Sequence, residues 1–461
     1  MGNVVARAFA PAPSASAPRP FRVSLVGAGY VGLVTAACFA ELGHDVTAIE
    51  VDATRLARMR AGVLPVYEPG LDDLVNQHTA SGRLLVTDGY DAVSDADVVF
   101  VAVPTPPRPD GRVDTSLVEA VVRAVLLRSP RATIVIKSTV PPGTIGNLEQ
   151  IARVEGYPLA RFVANPEFLR EGQAVHDFLV PDRVVIGTRD RDAGDLVARL
   201  YERLRTVTYR TSPEDAELAK YAANVFLAAR ISLINEVAGI ADRVGANVSQ
   251  VAAIVGADAR IGRSFLQAGL GWGGSCFPKD VSGLAALAHD VGASSAMLDG
   301  IVAANNDARS RATEIVLDAV RGTTRPLVGM LGLAFKPGTD DVRESPSIAL
   351  ARLLITRGIE VRATDPLAAA HAERVEPRLH LATGVTDAAA GADVLILTTE
   401  WPEFLAPDWH RVARLMRGSV VLDARNALDP NAVIAAGLTY RSLGRDVLGR
   451  NAALEAVACA S

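Results

Sequence analysis

The spacing of apolar and polar positions along the chain changes character twice. From Phe21 to Gly187, short apolar runs alternate with stretches of helical period. Arg22–Val26, Asp45–Glu50, Asp97–Val103, Thr133–Lys137, Phe162–Ala164 and Arg183–Gly187 read as strands, and Leu33–Leu42 reads as the first helix, ending at Gly43. Alternation of this kind implies a mostly parallel, doubly wound sheet.

From Ser212 the strand signal fades. Glu214–Arg243 predicts one long helix, and helix-like sequence continues through 247–257 and 279–320. Pro326–Gly332 restarts the earlier rhythm, with strands at Glu360–Ala363, Val394–Leu397 and Val420–Leu422. The expected fold class is α/β: two Rossmann-like doubly wound domains joined by an all-helical central segment with a long connecting helix. The expected boundaries are 21–211, 212–322 and 323–447. A cleft between the two α/β domains is the expected place for a ligand. Residues 1–20, rich in Ala, Pro and Ser, read as a disordered tail, and 448–461 as a second tail.

Composition narrows the function classes. A chain of 461 residues exceeds one ordinary core, so two or three domains are expected. A net charge of -5 argues against a nucleic-acid footprint, and an anionic substrate then needs a local cluster of cations. Three cysteines, Cys38, Cys276 and Cys459, make no disulfide framework and suit a reducing cytoplasm. Seven histidines include no HExxH pair, so a zinc site is not expected. No unbroken apolar run reaches the ~18–20 residues of a membrane helix, so no membrane partner is expected.

The first strand leads straight into Gly27-Ala28-Gly29-Tyr30-Val31-Gly32, which has dinucleotide-binding spacing. Gly27 makes the tight turn, Gly29 lets backbone approach a pyrophosphate, and Gly32 packs helix on strand. The phosphates then sit at the helix N-terminus. Glu50, closing the second strand, suits the adenosine ribose hydroxyls and repels a 2′-phosphate, which favours NAD over NADP.

A second concentration of chemistry is Gly271-Trp272-Gly273-Gly274-Ser275-Cys276-Phe277-Pro278-Lys279-Asp280. Pro278 suits the first turn of a helix, so the run delivers a thiol to a helix N-terminus, where backbone charge favours a thiolate. The glycines ahead of Cys276 leave bare backbone beside it, with room for a substrate, and Asp280 falls one turn from the sulfur. A buried structural cysteine is the competing reading. Lys220 and Asn224 share a helix face and suit a developing oxyanion, although a solvated face has the same pattern. Glu167 and Glu171 form a similar pair, and either suits general-base work toward water or plain capping. Thr139 lies at the carboxyl edge of the first sheet, where open α/β folds bind ligands. Lys336 and Arg343, on a polar loop after a strand, suit phosphate oxygens, unless that loop with its acids is simply solvated.

The stretches GAGYVG, KSTVPPGT, NPEFLREG, PDRVVIG, AELAKYAANVFLAARISLINE, GWGGSCFPKD and GLAFKPGTDDVRESPS together resemble the UDP-glucose/GDP-mannose dehydrogenase family, from about Phe21 to about Gly444. The resemblance implies a four-electron, NAD-dependent oxidation at C6 of a sugar nucleotide. Under it, Cys276 is the nucleophile, Lys220 and Asn224 hold the oxyanion, and Asp280 is the acid/base group. Glu167 serves thioester hydrolysis, with Thr139 and Glu171 nearby and Phe168 and Leu169 in the same substrate motif. Phe265, Leu266 and Gly273 line the uridine and sugar, and Lys336 contacts substrate. Arg260 reaches the substrate of a neighbouring subunit, which implies a homodimer or a higher homo-oligomer. Arg55, Thr105 and Thr139 meet NAD alongside the glycine loop. The sequence departs from the family pattern at Glu50, commonly Asp, and at Pro104, commonly Gly.

Phe277 resembles the UDP-glucose members, whereas GDP-mannose members often carry Leu there. Other UDP-sugars, a two-electron β-hydroxyacid dehydrogenase and a non-catalytic NAD-binding regulator remain as alternatives. The second needs neither the cysteine nor the second α/β domain, and the third predicts a broken catalytic set.

Overall fold

The computed structural model describes residues 19–445. The expected tails, apart from Arg19 and Pro20, and Cys459 lie outside the described residues. Two compact units make up the chain, the first ending at Ala222 and the second beginning at Ala223.

The first unit holds strands β1 (Arg22–Val26), β2 (Asp45–Ile49), β3 (Leu84–Thr87), β4 (Val98–Val101), β5 (Thr133–Ile136), β6 (Arg161–Ala164), β7 (Arg183–Gly187) and β8 (Val207–Thr211). They form one sheet in the order β3-β2-β1-β4-β5-β6-β7-β8. Pairing is parallel except between β6 and β7, which meet antiparallel at Ala164 and Gly187. The first six strands thus have the dinucleotide-binding order, reversing beside β1. Both faces are covered: Val23, Leu25, Val98 and Phe100 enter one core, and Val26, Val99 and Val101 enter the other. Burial on both faces explains why these strands read as continuous apolar runs. Sequence patterning missed β3 and β8, because β8 is largely exposed and has no apolar face to signal it.

The second unit holds β9 (Leu327–Leu331), β10 (Glu360–Thr364), β11 (His380–Leu381), β12 (Val394–Leu397), β13 (Val420–Asp423) and β14 (Thr439–Ser442). Their order, β11-β10-β9-β12-β13-β14, repeats the first topology with every pair parallel. Two Rossmann-like sheets and a helical central segment therefore make up the fold.

The long helix spans Pro213–Val244, 32 residues. Gly239 lies within it and leaves room for Arg311, whose guanidinium lies 3.3 Å from where a Cβ would stand and donates to the Asn235 carbonyl. Among the described residues it is the one helix long and apolar enough to cross a membrane by length and composition alone. Part of its apolar surface is core: Ala228 packs with Trp272, Val281 and Ile301, and Ile234, Ala238 and Ala241 pack with Val248 and Ala268.

The stretch 279–320 divides into Phe277–Asp290 and Ala296–Ala319. Gly292 takes φ +70, its N–H donates to the His289 carbonyl, and the Ala293 N–H donates to the Ala288 carbonyl. This is a Schellman ending, which only a residue tolerant of the left-handed region forms cheaply.

Candidate active site

In the glycine loop each residue has a separate physical job. Gly27 sits at φ +99, and a Cβ there would lie 2.7 Å from the Ala102 carbonyl oxygen. At Gly32 a Cβ would lie 1.8 Å from the Gly27 oxygen, so helix and strand touch through bare backbone. Nothing stands within 4 Å of a Cβ on Gly29, which precedes the helix Tyr30–Glu41. Open space in front of a helix N-terminus free of acidic residues in its first turn fits a pyrophosphate. Glu50 is buried just past β2, accepts the Asp52 N–H at 2.8 Å, and lies 4.0 Å from the Arg55 guanidinium. The Thr105 hydroxyl donates to the Thr139 carbonyl at 2.9 Å, joining the loops that follow β4 and β5.

Tyr30 follows Gly29 as the first residue of the helix, and its side chain has partners of its own. Its hydroxyl donates to Glu68 and accepts from the Gly172 N–H. Burial, with the Glu68 hydrogen bond and charge, pushes the phenol above its ordinary range. Glu68, fully buried, also accepts from Gly172 and Ala174 and so ties down the end of the NPEFLREG loop. Val31 is half-buried in the same helix turn. Glu171, half-buried, adds to the negative field at Tyr30.

Within the first unit, Glu167 and Lys220 form a buried ion pair, with Nζ 3.0 Å from Oε1 and side chains 4% and 7% exposed for Lys and Glu. The other carboxylate oxygen accepts the Leu169 N–H at 2.6 Å. Burial pushes the Glu167 carboxyl upward. The Lys220 charge, the Leu169 hydrogen bond and the more distant Lys137 outweigh it and hold the group below its ordinary value. The Phe168 ring lies 5.4 Å from Lys220 Nζ and under Arg183.

Within the second unit, Cys276 is the N-cap of the helix Phe277–Asp290, with Pro278 in its first turn, and is partly exposed. Its carbonyl accepts the Asp280 N–H, which sets the acid one turn further along. Asp280 is buried with both oxygens engaged, one by Asn224 Nδ2 at 2.5 Å and the other by Lys279 Nζ at 2.5 Å. Lys279 is a residue that sequence reasoning passed over, although it stands beside Asp280 in the motif. Lys220 and Asn224 lie one turn apart on the long helix.

The glycines before Cys276 do something other than leave space. A Cβ on Gly273 would lie 2.1 Å from the Glu344 oxygen, and one on Gly271 would lie 2.1 Å from Asn305 Oδ1. Gly274 has φ +80 and abuts the Phe335 ring. Gly273 and Gly274 permit close packing against the loop that follows β9, and Gly271 against Asn305 on the helix Ala296–Ala319. Asn305 holds the Trp272 backbone from both sides, and Trp272 Nε1 donates to Ser232 on the long helix.

Phe265 takes φ +61, uncommon for a bulky residue, and Leu266 beside it is buried. Lys336 is half-buried with Nζ 5.5 Å from the Phe335 ring centre. Arg343 and Arg260 each grip a carboxylate two residues back, Asp341 and Asp258, in bidentate fashion.

A sheet of dinucleotide-binding order, a helix-capping thiol with a buried carboxylate one turn on, and a buried Glu–Lys pair fit a nicotinamide-dependent dehydrogenase, the class to which the chain's relatives belong. Three family models match the chain: the NAD binding domain of the UDP-glucose/GDP-mannose dehydrogenase family at 21–205, its central domain at 214–307, and its UDP binding domain at 329–430. A UDP-glucose 6-dehydrogenase of Rhizobium meliloti is 42% identical over 435 residues, 92% of this chain and 99% of that protein. One from Pseudomonas aeruginosa is 41% identical over 93% of this chain and 98% of its own. The solved structure of a UDP-glucose dehydrogenase from the archaeon Pyrobaculum islandicum superposes with a TM-score of 0.86 at 37% identity, covering 95% of this chain and all of that one (100%). The chain belongs to the UDP-glucose/GDP-mannose dehydrogenase family.

Proposed function

We propose that the chain oxidises UDP-glucose at C6 to UDP-glucuronate, with Cys276 carrying the intermediates. What most supports the chemistry is the Cys276–Asp280–Asn224 arrangement: a partly exposed thiol on a helix N-terminus, one turn from a buried, hydrogen-bonded acid. The substrate assignment leans on relatives named UDP-glucose 6-dehydrogenase over nearly the whole chain, and on the UDP binding domain match.

When bound, NAD⁺ accepts a hydride from C6 in each of two oxidations, so two are consumed per substrate. The residues fit it: open space at Gly29, a helix N-terminus for the pyrophosphate and Glu50 for the ribose hydroxyls. The Cys276 sulfur adds to the C6 aldehyde and gives a thiohemiacetal, which keeps the aldehyde from leaving. Loss of hydride from that carbon and of the proton from its hydroxyl oxygen leaves a thioester. Lys220 and Asn224 donate to the C6 oxygen as it gains negative charge. Asp280 takes and returns the proton, held in place by Asn224 and Lys279. Glu167, kept ionised by Lys220, directs water at the thioester, and hydrolysis frees the thiol and the carboxylate.

Phe265, Leu266, Gly273 and Lys336 belong to the nucleotide-sugar site in this reading, with Phe168, Leu169, Glu171 and Arg343 as further contacts. Arg260 acts on the active site of a second copy. An exposed apolar stripe on the long helix, Phe226, Leu233 and Ile240 at seven-residue spacing, supports a dimer. A nucleophilic thiol must stay reduced, which suits the cytoplasm.

The test is NAD reduction with UDP-glucose, GDP-mannose and UDP-N-acetylmannosamine in parallel. Two NADH per UDP-glucose and a uronate product are expected. Cys276→Ser should abolish uronate formation and leave NAD affinity within about twofold. Turnover of that variant at the wild-type rate, or one NADH with a released ketone, would overturn the proposal.

A further inference from the structure

Lys137 is a buried cation that the mechanism above does not use. It follows β5 directly, as Asn165 follows β6, at the carboxyl edge of the first sheet. Its Nζ donates to Asn165 Oδ1 at 3.1 Å and to the Tyr201 hydroxyl at 3.2 Å, and that hydroxyl donates to the same Asn165 oxygen at 2.6 Å. Asn165 Nδ2 in turn donates to the Val185 carbonyl on β7 at 2.7 Å. The Phe178 and Tyr201 rings lie 5.9 and 5.6 Å from the ammonium. Among the described residues no carboxylate comes within ion-pair distance of it.

A buried ammonium among neutral partners is costly. Asn165 and Tyr201 already bond each other, so the polar cluster would survive a methionine at 137. Position 137 therefore carries a charge that local packing does not require. That charge acts two residues beyond Asn165, on Glu167, whose ionised form it favours alongside Lys220.

We propose that Lys137 is a positioning residue for the Glu167–Lys220 pair, anchoring through Asn165 the segment that carries Glu167 to its work on water. The proposal rests on Glu167 being the base of the hydrolytic step. Burial pushes the Lys137 ammonium down to about 8, against the pull of Glu167, and the Lys220 charge pushes it the same way as burial. The charged groups that act on it are Glu167 and Lys220, and its ammonium donates to the Tyr201 phenol, on which Cys38 acts in turn. Those facing Glu167 are Lys220 and Lys137.

The experiment measures kcat, KM for UDP-glucose and the kcat–pH profile of Lys137→Met and Lys137→Arg, beside melting temperature. Lys137→Met should melt no lower than the wild type and keep KM within about twofold. Its acidic limb should move up by about one pH unit, the size of a single lost charge, so that kcat falls by up to about tenfold at pH values below the limb and stays within about twofold of the wild type near neutrality. Lys137→Arg should keep the limb near its wild-type position. In a Glu167→Gln background, Lys137→Met should change kcat less than twofold. Should the methionine variant not fold, Asn165→Asp, which sets a negative charge against Lys137, should move the limb in the same direction. A wild-type enzyme that forms no uronate sinks the Glu167 reading and this one with it. An active wild type with an unmoved limb in these variants, or equal losses with and without Glu167, sinks the role of Lys137 alone.

Discussion

Removing Lys220 tests the electrostatics of the first unit most directly. Its ammonium lies 3.0 Å from Glu167, and both side chains are almost wholly buried. In Lys220→Met, Glu167 keeps its burial and loses its main compensating charge. Breaking a buried pair from one side costs about 3–5 kcal/mol. For a unit of this size 1 kcal/mol moves the melting temperature by roughly 2–4 °C, so a drop of about 10–15 °C is expected at pH 8. The loss has a defined pH dependence. In the wild type the Glu167 carboxyl lies below its unfolded value, so its contribution is present above ~4.3 and is lost as pH falls through the folded value. Without Lys220, burial dominates and the folded value rises above the unfolded one. The folded variant then binds a proton that the unfolded chain has released, and its handicap grows as pH rises from ~4.3. Scanning calorimetry at pH 5 and pH 8, on the transition that NAD shifts, should show the wild-type–variant gap shrinking toward pH 5. Glu167→Gln in the same chain should recover most of the loss. A gap of equal size at both pH values would refute the reasoning.

Three further outcomes are expected. Gly29→Ala should fold with an unchanged melting temperature and bind NAD at least about tenfold more weakly, because the added methyl enters the space in front of the helix N-terminus. Gly32→Ala should instead destabilise the first unit by more than about 2 kcal/mol, since its Cβ would lie 1.8 Å from the Gly27 oxygen; urea titration with and without NAD separates the two cases. Leu233→Glu, in the exposed stripe of the long helix, should lower the sedimentation coefficient to that of a monomer; an unchanged value would remove the stripe as the dimer contact.

Much of the architecture was legible because it is written in short-range pattern. β1 and β7 fall at the expected residues, and the long helix lies within a residue of its expected ends, since burial on fixed faces imposes a period. β8 was illegible because exposed strands need no apolar alternation. At the site, the glycine loop and Cys276 stood out because turn geometry and helix capping demand particular residues at fixed spacing. The glycines before Cys276 were visible as glycines, but their reason, a close approach by Glu344 and Asn305, was not.

By itself the sequence determined the two strand–helix repeats, the helix between them, the dinucleotide loop and the residues able to do the chemistry. Only the tertiary structure decided which charges share a desolvated space. Lys137 meets Asn165 across 28 residues and Tyr201 across 64, and Glu68 reaches Gly172 across 104. Such partners carry no periodic trace, because chain geometry couples only neighbours a few positions apart, while burial sets the strength of an ion pair through everything that surrounds it.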